Sequence, residues 1–288
     1  MGERFAGHAH PVSSIRHLCH TSTMHSAATI IRTALRLLPF LAAFPLIAQP
    51  EGAPGTGGAP AQRELDGRIL AGEIVQAVGG LNAWNDRSWD LSFDFVVMHD
   101  GAEAGRVSHF WNRSTDGYVV GGMTKDGSKW EVNFADIMNK VGMAMINGAP
   151  VADSLRQKTL DMGYGRFIND TYWLLMPFKL LDSGVYHYRE PDTTIGGQRY
   201  EVLRLSFGNV GLTPGDRYWL YVDPETKLVR RWRFRLQGSR EGDYLWNDYT
   251  DFDSIRLSLS KPAVDGTSEI RFEHVQVMHS GRRKSAGD

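Results

Sequence analysis

The feature that most constrains the fold is a period of two. Nine short segments alternate apolar and polar residues: WDLSFDFVVM, GRVSHFWNR, GYVVGGM, SKWEVNF, QRYEVLRLSF, DRYWLYV, KLVRRWRFRL, SIRLSLS and EIRFEHVQV. In the first, Leu91, Phe93, Phe95 and Val97 alternate with Asp90, Ser92 and Asp94. Successive side chains of a strand point to opposite faces, so the pattern marks strands with one buried face. Turn signals stand between them, among them Asp116-Gly117, Asp126-Gly127, Gly196-Gly197, Pro214-Gly215 and Asp223-Pro224-Glu225. Short strands joined by tight turns predict a meandering antiparallel sheet.

Helical spacing occurs in two places. Leu65, Ile69, Leu70, Ile74, Val75, Val78 and Leu81 predict an amphipathic helix that Gly79-Gly80 ends. Between Val151 and Leu181 the pattern gives a weak helix at VADSLRQKTLDM and a second at NDTYWLLM, capped by Asn169 or Asp170 and ended at Pro177. An apolar sheet face must be covered, and these helices are the elements available to cover it. The expected fold is mainly antiparallel β with a few helices, a curved sheet or incomplete β-barrel whose open side the helices cover.

From Met24 the chain reads MHSAATIIRTALRLLPFLAAFPLIAQ, with Arg32 and Arg36 ahead of an apolar run from Leu37 to Ala48. A basic start, an h-region of about 12 residues and the small residue Ala48 read as a cleavable secretory signal. A membrane anchor needs about 20 apolar residues, and Pro39 and Pro45 interrupt this run. Residues 1–48 are therefore expected to be a leader, with 1–23 an upstream extension if translation starts at Met24. Residues 49–62, QPEGAPGTGGAPAQ, predict a flexible linker, 63–280 a single β domain and 281–288 a disordered tail.

The expected location is the periplasm, as a soluble protein with no transmembrane segment in the mature chain. The only cysteine, Cys19, falls in the leader, which leaves the mature chain without a disulfide, a thiol nucleophile or a lipid anchor. His8, His10, His17 and His20 lie there too, so their metal-like spacing carries no weight. Loss of the leader, with its four Arg and one Glu, moves the formal charge from −1 to −4. That balance gives no electrostatic case for nucleic acid.

Catalytic signatures are sparse. No G-x-S-x-G, S-x-x-K or H-E-x-x-H occurs, and none of His99, His109, His187, His274 and His279 has a second His or a Cys at ligand spacing. Neither catalytic residues, a metal nor a cofactor is expected. Asp170 or Asp216 could serve as an acid or base only if a cleft brought two carboxylates within about 10 Å; otherwise Asn169 or Asp170 caps a helix and Asp216 closes a turn. In RRWRFR, a strand would turn Arg231, Arg233 and Arg235 one way and Trp232 and Phe234 the other, a solvated face backed by a core face. The block from Tyr172 to Phe178 is either core or the lid of a lipophilic cavity, where the thioether of Met176 would adapt to varied shapes.

The N-terminal helix, the meander of strands, NDTYWLLMPFKLLDSGV and the hairpin TPGDRYWLYVDPETKLV together resemble the LolA-like exported proteins, over about Leu65 to Val277. These are relatives of the periplasmic lipoprotein carrier and its outer-membrane receptor; the likeness is to an uncharacterised bacterial branch. The resemblance implies an unclosed barrel with a helical lid and an apolar cavity for acyl chains. No local motif aligns with the carriers' functional residues, so none carries over. The expected function is non-enzymatic binding of a lipophilic small molecule, lipid or lipoprotein acyl chain, through Trp173, Leu174, Met176 and Phe178 of the lid and Trp219, Tyr221, Trp232 and Phe234 of the hairpin. Two alternatives stay open: a docking module for an envelope protein, with a filled interior, and a carboxylate-based hydrolase.

Overall fold

The computed structural model describes residues 60–208, 215–238 and 240–279. The signal segment, nearly all of the expected linker and the C-terminal tail lie outside the described residues. Helix α1 (Pro60–Ala77) begins inside the stretch read as linker, with proline in its first turn, where a missing N–H costs nothing. It ends, as the glycine pair predicts, before Gly79, whose φ of 126° suits glycine alone. A short helix α2 (Gly80–Asn85) follows.

The first meander comprises β1 (Trp89–His99), β2 (Ala102–Asn112), β3 (Gly117–Met123), β4 (Lys129–Asp136), β5 (Val141–Ile146) and the two-residue β6 (Ala149–Pro150). Helix α3 (Asp153–Leu175) and a 3-10 turn (Met176–Lys179) lead to the second, β7 (Val185–Ile195), β8 (Gln198–Phe207), β9 (Arg217–Val222), β10 (Val229–Arg235) and β11 (Glu241–Leu245). The chain then returns to the first sheet through β12 (Asn247–Phe252), β13 (Ile255–Pro262) and β14 (Ser268–His279). One sheet has nine strands in the order β12-β13-β14-β1-β2-β3-β4-β5-β6, the other five in the order β11-β10-β9-β8-β7. Every pairing is antiparallel, neither sheet closes on itself, and a bridge from Tyr244 in β11 to Ala263, just after β13, links the two. This is the unclosed, mainly antiparallel architecture expected from the alternation.

Strands without a clean period of two escaped the sequence pattern. In β7 no residue is fully buried, because the strand is an edge whose polar side chains form ion pairs such as Arg189 with Glu201. Helix α1 lies directly on that strand. A Cβ at Gly67 would sit 2.8 Å from the Tyr188 amide nitrogen, so only glycine permits the approach. The buried face of α1 is consequently narrow, Leu70, Ala71, Ile74 and Val75, and Leu65, Ile69 and Leu81 of the predicted apolar stripe are exposed.

Two expectations for the middle of the chain are corrected. Residues 151–181 hold one continuous α-helix and not two, because Gly163 is a packing residue: a Cβ there would meet the Val132 side chain at 3.0 Å. Asp170 therefore caps nothing; it lies inside α3 with no accessible surface. The core is one apolar cluster running from α1 through both sheets. Within it the amine of Lys261 donates to the Ser258 carbonyl at 2.6 Å and lies 4.5 Å from the rings of Trp246 and Phe272. Burial pushes its pKa well down.

Candidate functional site

Helix α3 packs against both sheets, and its two halves meet different surroundings. In the first half, Phe167 sets its ring edge-on to Trp111 at 5.3 Å and to Tyr118 at 4.7 Å, both on the nine-stranded sheet. One turn away, Asp170 places Oδ2 3.0 Å from Nε2 of His109 on β2 and 2.7 Å from Nη2 of Arg166. His109 Nδ1 lies 2.7 Å from the Tyr118 hydroxyl. Burial raises the Tyr118 pKa far above its ordinary value, so the phenol keeps its proton and donates to Nδ1. That leaves the imidazole proton on Nε2, facing Asp170. Burial also holds the His109 pKa below 6.5, against the raising effect of Asp170.

The second half of α3 is aromatic. Trp173 meets Trp232 at 4.5 Å, Tyr244 at 4.9 Å and Phe234 at 6.1 Å, all edge-on, which fastens the helix to the five-stranded sheet. Between these contacts and the nine-stranded sheet lies a cavity of about 590 Å³. Small-molecule sites occupy about 300–1,000 Å³. Helix α3 contributes Phe167, Tyr172 and Trp173 to its wall, the nine-stranded sheet Phe95, Trp111 and Ile270, and the five-stranded sheet Phe207, Tyr218, Trp232 and Phe234. Arg87, Arg113, Lys179, Asp182 and Arg240 add polar groups.

Of the eight residues nominated from sequence, Trp173, Trp232 and Phe234 line this cavity together. Leu174, Met176 and Phe178 do not. They point away into the core, where Phe178 stacks on Trp84 at 5.2 Å, since a helix that buries all sides cannot turn every apolar residue to one space. Trp219 and Tyr221 do not line it either. They sit on the outer face of β9, opposite Arg233 and Arg231, whereas Tyr218 and Leu220 pair with Phe234 and Trp232 on the inner face. The arginines of RRWRFR are paired as a solvated face should be, Arg231 with Asp243 and both Arg233 and Arg235 with Glu241.

Trp84, Phe167, Tyr218 and Arg113 are wall residues that the sequence pattern did not single out. For Tyr218 a signal existed: on an antiparallel pair, the partner of Phe234 shares its face. The hydrolase reading required Asp170 or Asp216 beside a second carboxylate in a cleft. Neither lines the cavity; Asp216 is buried at the β9–β10 end, where it accepts a hydrogen bond from the Gln237 amide at 2.9 Å. Among the described residues no helix is long and apolar enough to cross a membrane.

No family model and no curated protein matches the chain. Solved structures do. A DUF1329 family protein from Desulfovibrio piger aligns at 13% identity and a TM-score of 0.44, covering 74% of this chain and 92% of that one. A LolA superfamily protein from Nitrosomonas europaea aligns at 8% and 0.43, covering 73% and 92%. A domain described as an outer membrane lipoprotein-sorting protein, from Vibrio parahaemolyticus, aligns at 9% and 0.41, covering 77% and 95%. At that level of likeness they lend the chain neither a family nor a function.

Proposed function

We propose that the protein binds a lipophilic ligand without covalent chemistry, in the cavity between α3 and the two sheets. The observation that carries this reading is the cavity itself: about 590 Å³ of space walled mainly by aromatic and aliphatic side chains from three elements. A filled interior would have favoured the docking-module alternative. Ten methylenes moved from water into such a space contribute about 8 kcal/mol, the free energy of a complex of about micromolar affinity before the chain is ordered. An acyl chain of a lipid or lipoprotein has this chemistry. Export to the periplasm, through the signal read at residues 24–48, places the protein where such chains are exposed, and residues 63–280 form the binding domain in this proposal.

Native mass spectrometry with lipid extraction tests the reading, on protein recovered from the periplasm without detergent. Co-purifying lipid or acylated peptide is the expected result. A protein that arrives empty and fails to bind an apolar fluorescent probe overturns it. Recovery of the protein only from the cytoplasm refutes the proposed location.

A further inference from the structure

Among the described residues two arginines are buried, and they are treated differently. Arg166, 7% exposed, faces Asp170 at 2.7 Å. Arg113, 4% exposed, has no carboxylate of the described residues within ion-pairing distance. Its guanidinium lies 3.7 Å from the ring centroid of Trp89, 4.3 Å from that of Trp84 and 5.5 Å from that of Trp111. Nη1 donates to the Asp86 carbonyl at 3.0 Å, Nη2 to the Trp84 carbonyl, and Nε has no partner. A guanidinium offers five N–H donors in a fixed fork, so this one is held rigidly with donors to spare. Burial, with the neighbouring Arg87 second, lowers its pKa to about 10, and the group remains cationic at neutral pH.

A buried cation without a counter-charge is costly unless something supplies one. The nearby carboxylates do so only from a distance: Asp86 and Asp116 both act on Arg113, but neither forms an ion pair with it, and Asp116 is engaged by Arg87. Arg113 also forms part of the cavity wall, where Arg87, Lys179 and Arg240 make four cationic side chains against the single carboxylate of Asp182. That carboxylate is itself paired with Lys179. The rest of the wall is apolar, so the cavity combines a hydrocarbon-compatible body with one fixed, dehydrated positive group.

Resting on the lipophilic-ligand reading, we infer that the ligand is an anionic amphiphile, a long apolar chain ending in a carboxylate or phosphate, and that Arg113 receives its headgroup. The planar fork matches the two oxygens of such a group, and the tryptophan faces that flank the guanidinium hold it in orientation before the ligand arrives.

The test is displacement of a cavity-bound apolar fluorescent probe by three sixteen-carbon compounds: hexadecanoate, hexadecanol and hexadecyltrimethylammonium. Hexadecanoate is expected to bind at least about ten-fold more tightly than hexadecanol, as befits a charge-assisted hydrogen bond in a dry site, with the cation weakest. Arg113→Met should abolish the preference for hexadecanoate over hexadecanol. Arg113→Lys, which keeps the charge and loses the fork, should retain part of it and serves if the methionine variant does not fold. Millimolar acetate or inorganic phosphate should not displace the probe.

Equal affinity of the wild type for hexadecanoate and hexadecanol overturns this inference and leaves the cavity reading standing. A preference that survives both Arg113 variants, or that disappears in Lys179→Met, also overturns it. Displacement by inorganic phosphate as strong as that by hexadecanoate would make the group a free-anion site and refute the amphiphile. If none of the three compounds displaces the probe, the inference falls together with the lipophilic-ligand reading.

Discussion

Helix α3 touches the nine-stranded sheet and the five-stranded sheet by different chemistry. Against the first it buries a polar cluster, Tyr118, His109, Asp170 and Arg166, together with Gly163 pressed onto Val132. Against the second it offers rings, Trp173 among Trp232, Phe234 and Tyr244, and it is here that the cavity opens. The two junctions have unlike tolerances. Buried polar groups bind one geometry, because any displacement leaves a donor or acceptor dehydrated and unmatched. An edge-on ring pair is worth about 0.5–1.5 kcal/mol beyond its buried area, so a slide or tilt of the rings costs less than stranding a buried polar group. The polar half thus fixes where α3 lies, and the aromatic half can adjust around an occupant.

The polar junction is most vulnerable at Asp170. Asp170→Ala strands the buried Arg166 and the His109 Nε2–H, and should lower unfolding free energy by about 3–5 kcal/mol, read by urea denaturation. An unchanged midpoint would show that the polar junction does not anchor the helix. Next come two aromatic truncations that separate packing from binding. Phe178→Ala, in a filled part of the core, should lose about 3–5 kcal/mol with probe affinity unchanged in the folded fraction. Trp173→Ala borders space that is already empty, so its loss should fall near the low end, about 3 kcal/mol, while probe affinity drops about ten-fold. The reverse assignment would place the lid at Phe178 after all.

A pH titration sharpens the comparison further. The folded pKa of His109 lies below its unfolded value of 6.5. As pH falls below 6.5 the unfolded chain takes up a proton that the folded one refuses, so stability is complete above that pH and declines below it. The slope from this group is at most about 1.4 kcal/mol per pH unit, and the loss ends at the folded pKa. His109→Gln should flatten the stability profile between pH 6.5 and the acid limb; parallel profiles would deny the buried imidazole its role. The smallest effect is expected at Trp219, on the outer face of β9, where alanine should change stability by no more than about 1 kcal/mol and leave probe binding intact.

How much was legible depended on whether neighbours along the chain or across it held the information. Strand β10 was readable to the level of faces, since charged Arg231, Arg233 and Arg235 alternate with Trp232 and Phe234 and water must take the former. Strand β9 was not: Arg217 to Val222 reads RYWLYV, apolar or aromatic at nearly every position, and hydrophobicity does not choose a face. Its pairing with β10 does, by setting Trp219 and Tyr221 opposite arginines. The block from Tyr172 to Phe178 posed the same problem on a helix. It is apolar on all sides, so which residue borders the cavity follows from where the two sheets lie.

Local sequence thus suffices for the antiparallel meander, the helix that covers it, its stop at the glycine pair and the outward arginines of β10. Each follows from local periodicity and backbone sterics, which act between residues a few positions apart. Only the tertiary structure decided that α3 is unbroken, that Asp170 belongs to a buried cluster and not a cap, and that Arg113 stands in the cavity wall without a counter-charge. Those outcomes depend on Gly163 meeting Val132, Asp170 meeting His109 and Arg113 meeting three tryptophans. The physical reason is that burial and pairing are properties of neighbours in space, and here most of the partners that matter lie twenty or more residues away along the chain.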